Sequence, residues 1–380
     1  MMAGRFSRLY RGETTVDFYG RRKIGFALSL FVGVITIVSL LSQGLNLGID
    51  FKGGVAWEVP STQSFGLDDA KDVLTTNEID PKDAKIQTLT SGSDKRVRIQ
   101  VGDQAPEKIT TLKEAFAAKA DVDADQISVA AVSSTWGRSI TEKAIRALVV
   151  FFALVSLFIA FRFEWKMAIA AIVAMVHDVL VSVGVYSLLG LEVTPATVVA
   201  FLTILGFSLY DTIVVFDKVQ ENDERFKTTR ASYGDIINVS MNQVLMRSLN
   251  TSIAAILPVL SLLLLGSLVM GAIALQEFAV ALLVGLTTGA YSSIYIATPL
   301  FGLLKEREAR FVGLRGQRAL GEEMTRLIVT GAASGRRATL QRSEATRDSE
   351  AVSRTSSDQD SMTVATVLSH PPRPRKKGRR

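Results

Sequence analysis

The chain has 380 residues, of which 48% are hydrophobic and 21% are charged, and its net charge is +6 at pH 7. Such a mixture indicates that apolar and charged residues occupy separate segments, and it argues against a purely soluble protein. There are no cysteines and only two histidines. This excludes disulfides, thiolate metal sites and cysteine nucleophiles, and it argues against a multi-histidine metal site.

Apolar segments long enough to cross a membrane occur six times along the chain. The predicted spans are Ile24–Leu41, Ala144–Phe161, Met167–Leu189, Ala196–Phe216, Ser248–Leu268 and Ala272–Leu304. No small-residue cleavage pattern follows the first span, so it is predicted to be retained. The sequence therefore predicts a polytopic α-helical membrane protein with six transmembrane helices.

Lysine and arginine flank alternate ends of the predicted spans. Residues 1–23, the turn at 162–166 and the loop at 217–247 are basic, whereas the turns "GLEVTP" and "GSLVMG" contain neither residue. Because positive residues remain on the cytoplasmic side, both termini are predicted to be cytoplasmic. The loop at 44–143 is then extracytoplasmic, since long loops cross the membrane largely regardless of charge.

The loop at 44–143 is predicted to carry a small folded domain. Its strands are "VAWEV", "AKIQTLT", "KRVRIQV" and "DQISVAAVS", and its helices are "SFGLDDAKDVLTTNEI", with Ser64 as the cap, and "APEKITTLKEAFAAKA". The order β-α-β-β-α-β predicts one extracytoplasmic ferredoxin-like α+β domain between the first two spans. This fold is too widespread to indicate a chemistry.

The end of the chain has a different composition. Residues 305–380 contain 17 lysines and arginines against 9 acidic residues, and they are predicted to form a disordered basic cytoplasmic tail. Such a tail could contact anionic lipid or RNA weakly, or it could simply be solvated. The remaining predicted parts are a cytoplasmic segment at 1–23, a first transmembrane helix at 24–43, the extracytoplasmic domain at 44–143 and a five-helix bundle at 144–304.

Ionisable residues inside the spans are informative because each costs roughly 3 kcal/mol at the bilayer centre on insertion scales. Asp211 lies inside the fourth span, in "TILGFSLYDTIVVFDKVQEN", and Arg247 opens the fifth, in "NQVLMRSLNTS". These spans form a helical hairpin, so the guanidinium and the carboxylate are predicted to pair. The pair could be a fixed ion pair or a proton-dependent switch. Asp217, at the end of the fourth span, is predicted to face the membrane interface.

Two further intramembrane candidates are adjacent in the third span, where "MVHDVLVS" contains His177 and Asp178. The histidine could be packed against a neighbouring helix or could titrate, and the aspartate could form a buried hydrogen bond between helices or take part in proton transfer. No glycine-rich loop with a lysine is present to cradle phosphates, and no nucleophile–base pair can be assembled. The sequence therefore predicts no ATP site, no other cofactor, no metal and no enzymatic activity.

Five long motifs occur together, in the order shared by members of a known family. They are "NLGIDFKGG", "MVHDVLVSVGVYSLLGLEVT", "GFSLYDTIVVFDKVQEN", "NQVLMRSLNTS" and "FAVALLVGLTTGAYSSIYIATPL". In these motifs the chain resembles the SecF branch of the SecD/SecF family of bacterial protein-export membrane proteins. The resemblance extends from about Asp17 to Leu304. Within it, Tyr210 stands where many members have asparagine. The long basic tail lies outside it and resembles the tails of actinobacterial members.

The resemblance implies the architecture of resistance-nodulation-division transporters and an auxiliary role in the Sec translocase. Such a subunit works with SecD beside the SecYEG channel and its SecA-driven preprotein, in the lipids of the bacterial cytoplasmic membrane, and uses the proton motive force to promote export. The resemblance makes Asp211 and Arg247 the proton-coupling residues. It also implies that Asp50, Gly53 and Gly54, in "GIDFKGG", transmit motion between the first span and the outer domain.

Two other functions remain open. A proton-coupled small-molecule exporter would share the architecture, although the outer domain is small for one and the sequence shows no evident drug-binding pocket. A structural scaffold would use Asp211 and Arg247 only to fix the register of the helices.

Overall fold

The computed structural model describes residues 14–62, 65–91, 94–229, 231–266 and 273–331. Within this part of the chain, six helices are long and apolar enough to cross a membrane, the number predicted from the sequence. A small α/β region lies in the chain between the first and second of these helices.

The regular elements are numbered in chain order. The helices are α1 Arg22–Ser42, α2 Ile49–Lys52, α3 Leu67–Thr76, α4 Pro106–Ala120, α5 Ser134–Arg162, α6 Trp165–Leu189, α7 Pro195–Arg225, α8 Tyr233–Leu264, α9 Ile273–Ser292, α10 Thr298–Lys305, α11 Ala309–Val312 and α12 Glu322–Thr330. The strands are β1 Asn46–Leu47, β2 Gly54–Pro60, β3 Lys85–Ser91, β4 Asp94–Val101, β5 Ser128–Val132 and β6 Glu192–Val193. The first to fifth spans are α1, α5, α6, α7 and α8, and the sixth is α9 continued by α10.

Three of these helices extend beyond the apolar segments. The second-span helix begins at Ser134, where the Ser133 hydroxyl accepts a hydrogen bond from the Trp136 backbone N–H. The fourth-span helix continues to Arg225, and the fifth begins at Tyr233. Hydropathy marks only the part of a helix that lies in lipid. Polar helical turns outside the bilayer therefore carry no such signal.

The α/β region is a four-stranded antiparallel sheet with two helices. The chain order β2-α3-β3-β4-α4-β5 follows the prediction, and the sheet order is β3-β4-β2-β5. Helix α3 begins after Gly66, whose backbone N–H donates to Asp69 Oδ2 at 3.0 Å. The predicted cap, Ser64, lies outside the described residues.

The core of the α/β region is centred on Trp57 of strand β2. This side chain is fully buried, and its ring centroid lies 5.7 Å from that of Phe116 in α4. Leu112, on the same helix, and Ile99, on the neighbouring strand, are also fully buried in this cluster. Aromatic side chains each bury a large apolar area, so Trp57 and Phe116 help to hold α4 against the sheet.

A separate two-stranded sheet joins the end of the first span to the turn between the third and fourth spans. Asn46 pairs with Glu192, and Leu47 pairs with Val193, in a parallel register. The Gly48 backbone N–H adds a hydrogen bond to the Val193 carbonyl at 3.0 Å. The first, third and fourth spans are therefore tied together at this end of the bundle.

At the opposite end of the bundle, polar contacts hold the beginning and end of the described chain against α8. The Tyr19 backbone N–H donates to Asn238 Oδ1 at 2.8 Å, and the Val16 backbone N–H donates to Asn242 Oδ1 at 2.9 Å. Asp17 forms an ion pair of 3.0 Å with Arg318.

This packing corrects the predicted boundary of the tail at 305, which is too early. Phe311, Met324 and Leu327 are buried in the main apolar cluster of the bundle, at 1–2% exposure. Apolar residues spaced along a polar segment supply this contact, and average composition conceals them. Residues 332–380, which hold most of the predicted tail, lie outside the described residues.

Candidate functional site

The fourth span carries Asp211 into the interior of the bundle. The residue is 7% exposed, and its Oδ2 accepts a hydrogen bond from the Ser248 hydroxyl of the fifth span at 2.7 Å. The fifth-span helix begins fifteen residues earlier, at Tyr233, so the start of the predicted span is already helical beside Asp211. A carboxylate is costly in a membrane unless hydrogen bonds compensate it, and Ser248 supplies one.

Arg247 lies close to Asp211 without bonding to it. Its Nη2 donates to the Tyr210 hydroxyl at 3.4 Å, on the exposed side of α7, and the next residue, Ser248, donates to Asp211. No ion pair within 4.0 Å joins these two described residues. The fixed ion pair that is one interpretation of the sequence is therefore not formed in this structure.

Asp178 is the centre of a second buried polar group and is 1% exposed. Its Oδ2 accepts hydrogen bonds from the Ser208 hydroxyl at 2.6 Å and the Ser292 hydroxyl at 2.8 Å. One carboxylate oxygen thus joins the third, fourth and sixth spans. Gly289 makes the close approach possible, because a Cβ at that position would lie 2.8 Å from the Cβ of Ser208.

The sixth span has a π-helical turn beside this group, at Ser293–Ala297. The Ser293 hydroxyl lies 2.8 Å from the Thr212 hydroxyl of the fourth span, and the Ser293 carbonyl accepts from the Thr298 hydroxyl at 2.7 Å. A π turn interrupts the regular hydrogen-bond ladder and is frequent at functional sites. Here it places hydroxyl groups between the fourth and sixth spans.

His177 connects Asp178 to a larger cavity. Its Nδ1 lies 3.2 Å from Asp178 Oδ1. The ring lines a cavity of about 310 Å³ between the first, third and sixth spans, together with Ser29, Thr287 and Tyr291. No protein group among the described residues is hydrogen-bonded to its Nε2. One ring nitrogen therefore faces the buried carboxylate, and the other has no protein partner.

A much smaller cavity lies beside Asp211. Its volume is about 30 Å³, and its wall includes Asp211, Ser208, Thr251 and Ser252. This is room for about two water molecules, with enough polar partners to hold them. Ser208 also donates to Asp178, so this residue connects the wall of the cavity to the second buried carboxylate.

Asp217 does not belong to either group. It is exposed, and its Oδ1 lies 3.8 Å from the guanidinium of Arg162 at the end of the second span. An exposed pair of this kind contributes roughly 0–1 kcal/mol to stability. The expectation that Asp217 faces the membrane interface stays a prediction.

The predicted coupling segment is built on close backbone contacts. Gly53 has φ 80° and ψ 170°, a conformation that is essentially restricted to glycine, and a side chain there would overlap the backbone of Ser134 at the start of the second span. A side chain on Gly54 would overlap the Val101 carbonyl. Asp50 lies in the short helix α2 that leads into the two glycines. The first span, the sheet and the second span therefore meet at this point.

An ionic contact also joins the bundle to the sheet. Glu192, in β6, is 3% exposed. Its Oε2 accepts from Arg98 Nη1 at 2.8 Å and from Gln100 Nε2 at 3.0 Å, both on β4. Burial raises the pKa of the Glu192 carboxyl above its usual value of 4.5, although Arg98 and Gln100 act to lower it. The contact therefore depends on pH.

The sequence does not single out Ser208, Thr212 or Glu192, which the structure places at these contacts. A signal exists for Ser208, because it precedes Asp211 by three positions, and such residues share a helix face. Glu192 occupies a short turn between two apolar segments, where an acidic residue is expected to be solvated. Only the pairing of β6 with β1 shows why it is buried.

The polar groups that meet in the bundle are carboxylates, hydroxyls and an imidazole, which are groups that bind and exchange protons. Among the described residues, no three His, Cys, Asp or Glu side chains are grouped as metal ligands would be. The arrangement is suited to holding a proton and passing it between helices.

Comparison with known proteins gives two family matches. Residues 111–307 match the family "Protein export membrane protein SecD/SecF, C-terminal", and residues 38–61 match the "SecD/SecF GG Motif". The first match contains Asp178, Asp211 and Arg247, and the second contains Gly53 and Gly54.

Individual relatives agree with these matches. The chain is 42% identical over 310 residues to the protein translocase subunit SecF of Streptomyces coelicolor, covering 81% of this chain and 82% of that protein. It is 43% identical over 311 residues to the SecF subunit of Mycobacterium tuberculosis, covering 79% and 70%. The crystal structure of SecDF from Thermus thermophilus, described as a translocon-associated membrane protein, has a TM-score of 0.70 and 31% identity over 78% of this chain and 39% of that one.

Proposed function

The chain belongs to the SecD/SecF family of protein-export membrane proteins, and we propose that it is a SecF-type auxiliary subunit that uses the proton motive force, together with SecD, to promote preprotein export. Asp211 is the observation that carries this proposal. It is a buried carboxylate in a candidate membrane helix, hydrogen-bonded by Ser248, with a cation on the next helix.

The geometry supports a switch with two positions for Arg247. In this structure the guanidinium bonds to the Tyr210 hydroxyl on the exposed side of the helix. When Asp211 loses its proton, the buried negative charge attracts the guanidinium, and when Asp211 is protonated, that attraction disappears. Each proton that binds and leaves would thus shift Arg247, and with it the fifth span, relative to the fourth.

The outer domain is proposed to be the part that acts on the preprotein. Its sheet order β3-β4-β2-β5 and two helices support a ferredoxin-like fold. The basic flanks support an extracytoplasmic position for this domain, cytoplasmic termini and insertion in the bacterial cytoplasmic membrane. The contacts of Gly53 and Glu192 would carry motion from the spans to the sheet.

The proposed partners follow from the family. A separate SecD would supply the other half of a SecDF-type assembly, because the chain spans only 39% of the Thermus SecDF chain. The complex would act beside SecYEG and the SecA-driven preprotein. The basic tail would make at most weak contacts with anionic lipid or RNA. The proposal includes no cofactor, no ATP site and no enzymatic reaction.

The test compares two aspartates on one helix. Asp211→Asn should leave the protein inserted and bound to SecD but abolish the proton-dependent stimulation of preprotein export into inverted membrane vesicles. Asp217→Asn, which removes an exposed carboxylate from the same helix, should leave the stimulation intact. Full stimulation by the Asp211→Asn protein would refute the proposal.

A charge exchange separates a proton switch from a structural scaffold. The double variant Asp211→Arg with Arg247→Asp preserves opposite charges on adjacent helices but removes the buried carboxylate from the fourth span. A scaffold would retain export activity in this variant. A proton switch would lose it, because the titrating group would now lie at the exposed position of Arg247.

A further inference from the structure

The proposed switch uses Asp211 and leaves a more deeply buried carboxylate unexplained. Asp178 is 1% exposed, compared with 7% for Asp211. A helix contact can be made by serine or threonine at much lower cost than by a carboxylate within a membrane. The presence of an ionisable group at this position therefore points to proton chemistry.

A continuous set of contacts leads from Asp211 to Asp178. Ser208 and Asp211 share the wall of the small cavity, and they are three positions apart on one helix, which places their Cβ atoms about 5–6 Å from each other. The same Ser208 hydroxyl donates to Asp178 Oδ2 at 2.6 Å. Ser208 thus contacts one carboxylate and shares the wall of a cavity of water size with the other.

The contacts continue on the far side of Asp178. Its Oδ1 lies 3.2 Å from His177 Nδ1, and the ring borders the larger cavity. In the described part of the chain, Nε2 is buried and has no protein partner. Four of the eight residues that line this cavity carry hydroxyls, although most of the lining surface is apolar. The hydroxyls of Thr287, Thr288 and Tyr291 donate to backbone carbonyls.

We infer that Asp178 and His177 form a second proton-carrying station. It receives protons from Asp211 through the small cavity and Ser208, and it releases them into the larger cavity. The inference rests on the proposed proton-coupled function. Asp211 gives its proton to water in the small cavity. That water gives a proton to Ser208 Oγ, and the hydroxyl proton of Ser208 passes to Asp178 Oδ2. The Asp178 carboxyl group then rotates so that this proton faces His177 Nδ1. His177 starts as the Nε2–H tautomer, so Nδ1 accepts the proton while Nε2 releases one at the larger cavity.

The number of protons on each relay group is conserved over a full transfer, but His177 is left as the Nδ1–H tautomer and has to return to the Nε2–H tautomer before the next one. Ser208 gains and loses one proton, and so do Asp178 and His177. The titratable groups that face the station are His177 on the third span, Asp211 on the fourth and Tyr291 on the sixth. The first span adds only Leu28, Ser29 and Val32 to the cavity, none of which is ionisable.

Two serines that bond to the same carboxylate oxygen provide a matched test. Ser208 and Ser292 both donate to Asp178 Oδ2, at 2.6 and 2.8 Å, but only Ser208 lines the small cavity that contains Asp211. Alanine at either position keeps the Cβ and removes one hydroxyl. A purely structural Asp178 would respond equally to the two changes, whereas the relay requires only Ser208.

The measurement is proton flux into liposomes that contain the full chain and its SecD partner, driven by an imposed pH gradient and followed with an enclosed pH dye. Ser208→Ala and Asp178→Asn should lower the flux by about a hundredfold, the lower end of what a positioned proton-transfer group contributes. Ser292→Ala should lower it by no more than about tenfold, the upper range for the loss of an ordinary hydrogen bond. His177→Gln should match Asp178→Asn, because the groups act in series.

Asp211→Asn in the same liposomes separates the two hypotheses. If that variant abolishes flux while Ser208→Ala and Asp178→Asn conduct normally, the relay is refuted and the proposed function stands. If Asp211→Asn conducts normally, the proposed function fails as well. Equal losses for Ser208→Ala and Ser292→Ala would assign Asp178 a structural role and would also refute the relay. Size-exclusion profiles establish that each variant is folded.

Discussion

Gly53→Ala is expected to destabilise the junction between the first span, the sheet and the second span by about 2–6 kcal/mol. Two effects add. A side chain at φ 80° and ψ 170° costs about 1–3 kcal/mol in backbone strain. The methyl group would also overlap the Ser134 backbone, and forcing extra volume into a packed site costs about another 1–3 kcal/mol.

Two other glycines separate these effects. Gly44 has φ 70°, but a Cβ there would meet no atom within 4 Å. Gly102 has no positive φ, and a Cβ there would also meet no atom within 4 Å. Gly44→Ala should therefore cost only the strain of a left-handed residue, about 1–2 kcal/mol. Gly102→Ala should stay within about 0.5 kcal/mol of the wild type, as exposed substitutions usually do.

The assay is unfolding by guanidinium in detergent, followed by tryptophan fluorescence. Trp57 is fully buried and close to Phe116, whereas Trp136 and Trp165 are 59% and 63% exposed. The change in signal therefore reports mainly the α/β region, whose strand β2 starts at the junction. Equal unfolding midpoints for Gly53→Ala and Gly44→Ala would show that contact with the second span adds nothing, and a wild-type midpoint for Gly53→Ala would refute the reasoning altogether.

Three further changes have defined outcomes. Burial raises the pKa of Glu192 above 4.5, so the favourable contribution of its protonated carboxyl to folding is complete below that pH and is lost as pH rises through the raised pKa. Glu192→Gln should therefore flatten the dependence of melting temperature on pH above 4.5. Asn242→Ala removes the acceptor of the Val16 N–H, so limited proteolysis should cleave the chain near Val16 faster than in the wild type. Equal cleavage rates for the variant and the wild type would contradict this. Tyr210→Phe removes an exposed hydrogen bond to Arg247 and should lower export less than about threefold; a tenfold loss would show that the hydroxyl has a direct role.

The sequence was sufficient for the spans and for the order of elements in the α/β region. A long apolar run or an alternating strand is a local pattern, so it can be read without knowing what packs against it. The ends of the helices were less predictable. Residues 233–247 mix polar and apolar side chains and are nevertheless helical, because they pack against the described beginning and end of the chain rather than against lipid.

The candidate site shows a similar division. Asp211 was predictable because an ionisable residue in an apolar run is rare and costly. The sequence did not predict that Asp211 bonds to Ser248 instead of Arg247. Adjacent residues on a helix point about 100° apart, and the rotation of the helix about its axis decides which of them faces a neighbouring helix. Asp178 was visible in the sequence, but its two serine partners come from spans that are distant in the chain.

The short parallel pairing of β1 with β6 has a mechanical consequence. Asn46 and Glu192 attach the sheet region to the turn between the third and fourth spans, and Asp178 lies eleven residues below the end of the third-span helix, about 17 Å along its axis. Over such a lever arm, a relative tilt of about 3° between these two helices displaces Asp178 by about 1 Å. The 2.6 Å contact with Ser208 would then exceed hydrogen-bonding distance, so a very small rotation at one end of the bundle is enough to open or close a proton contact at its centre.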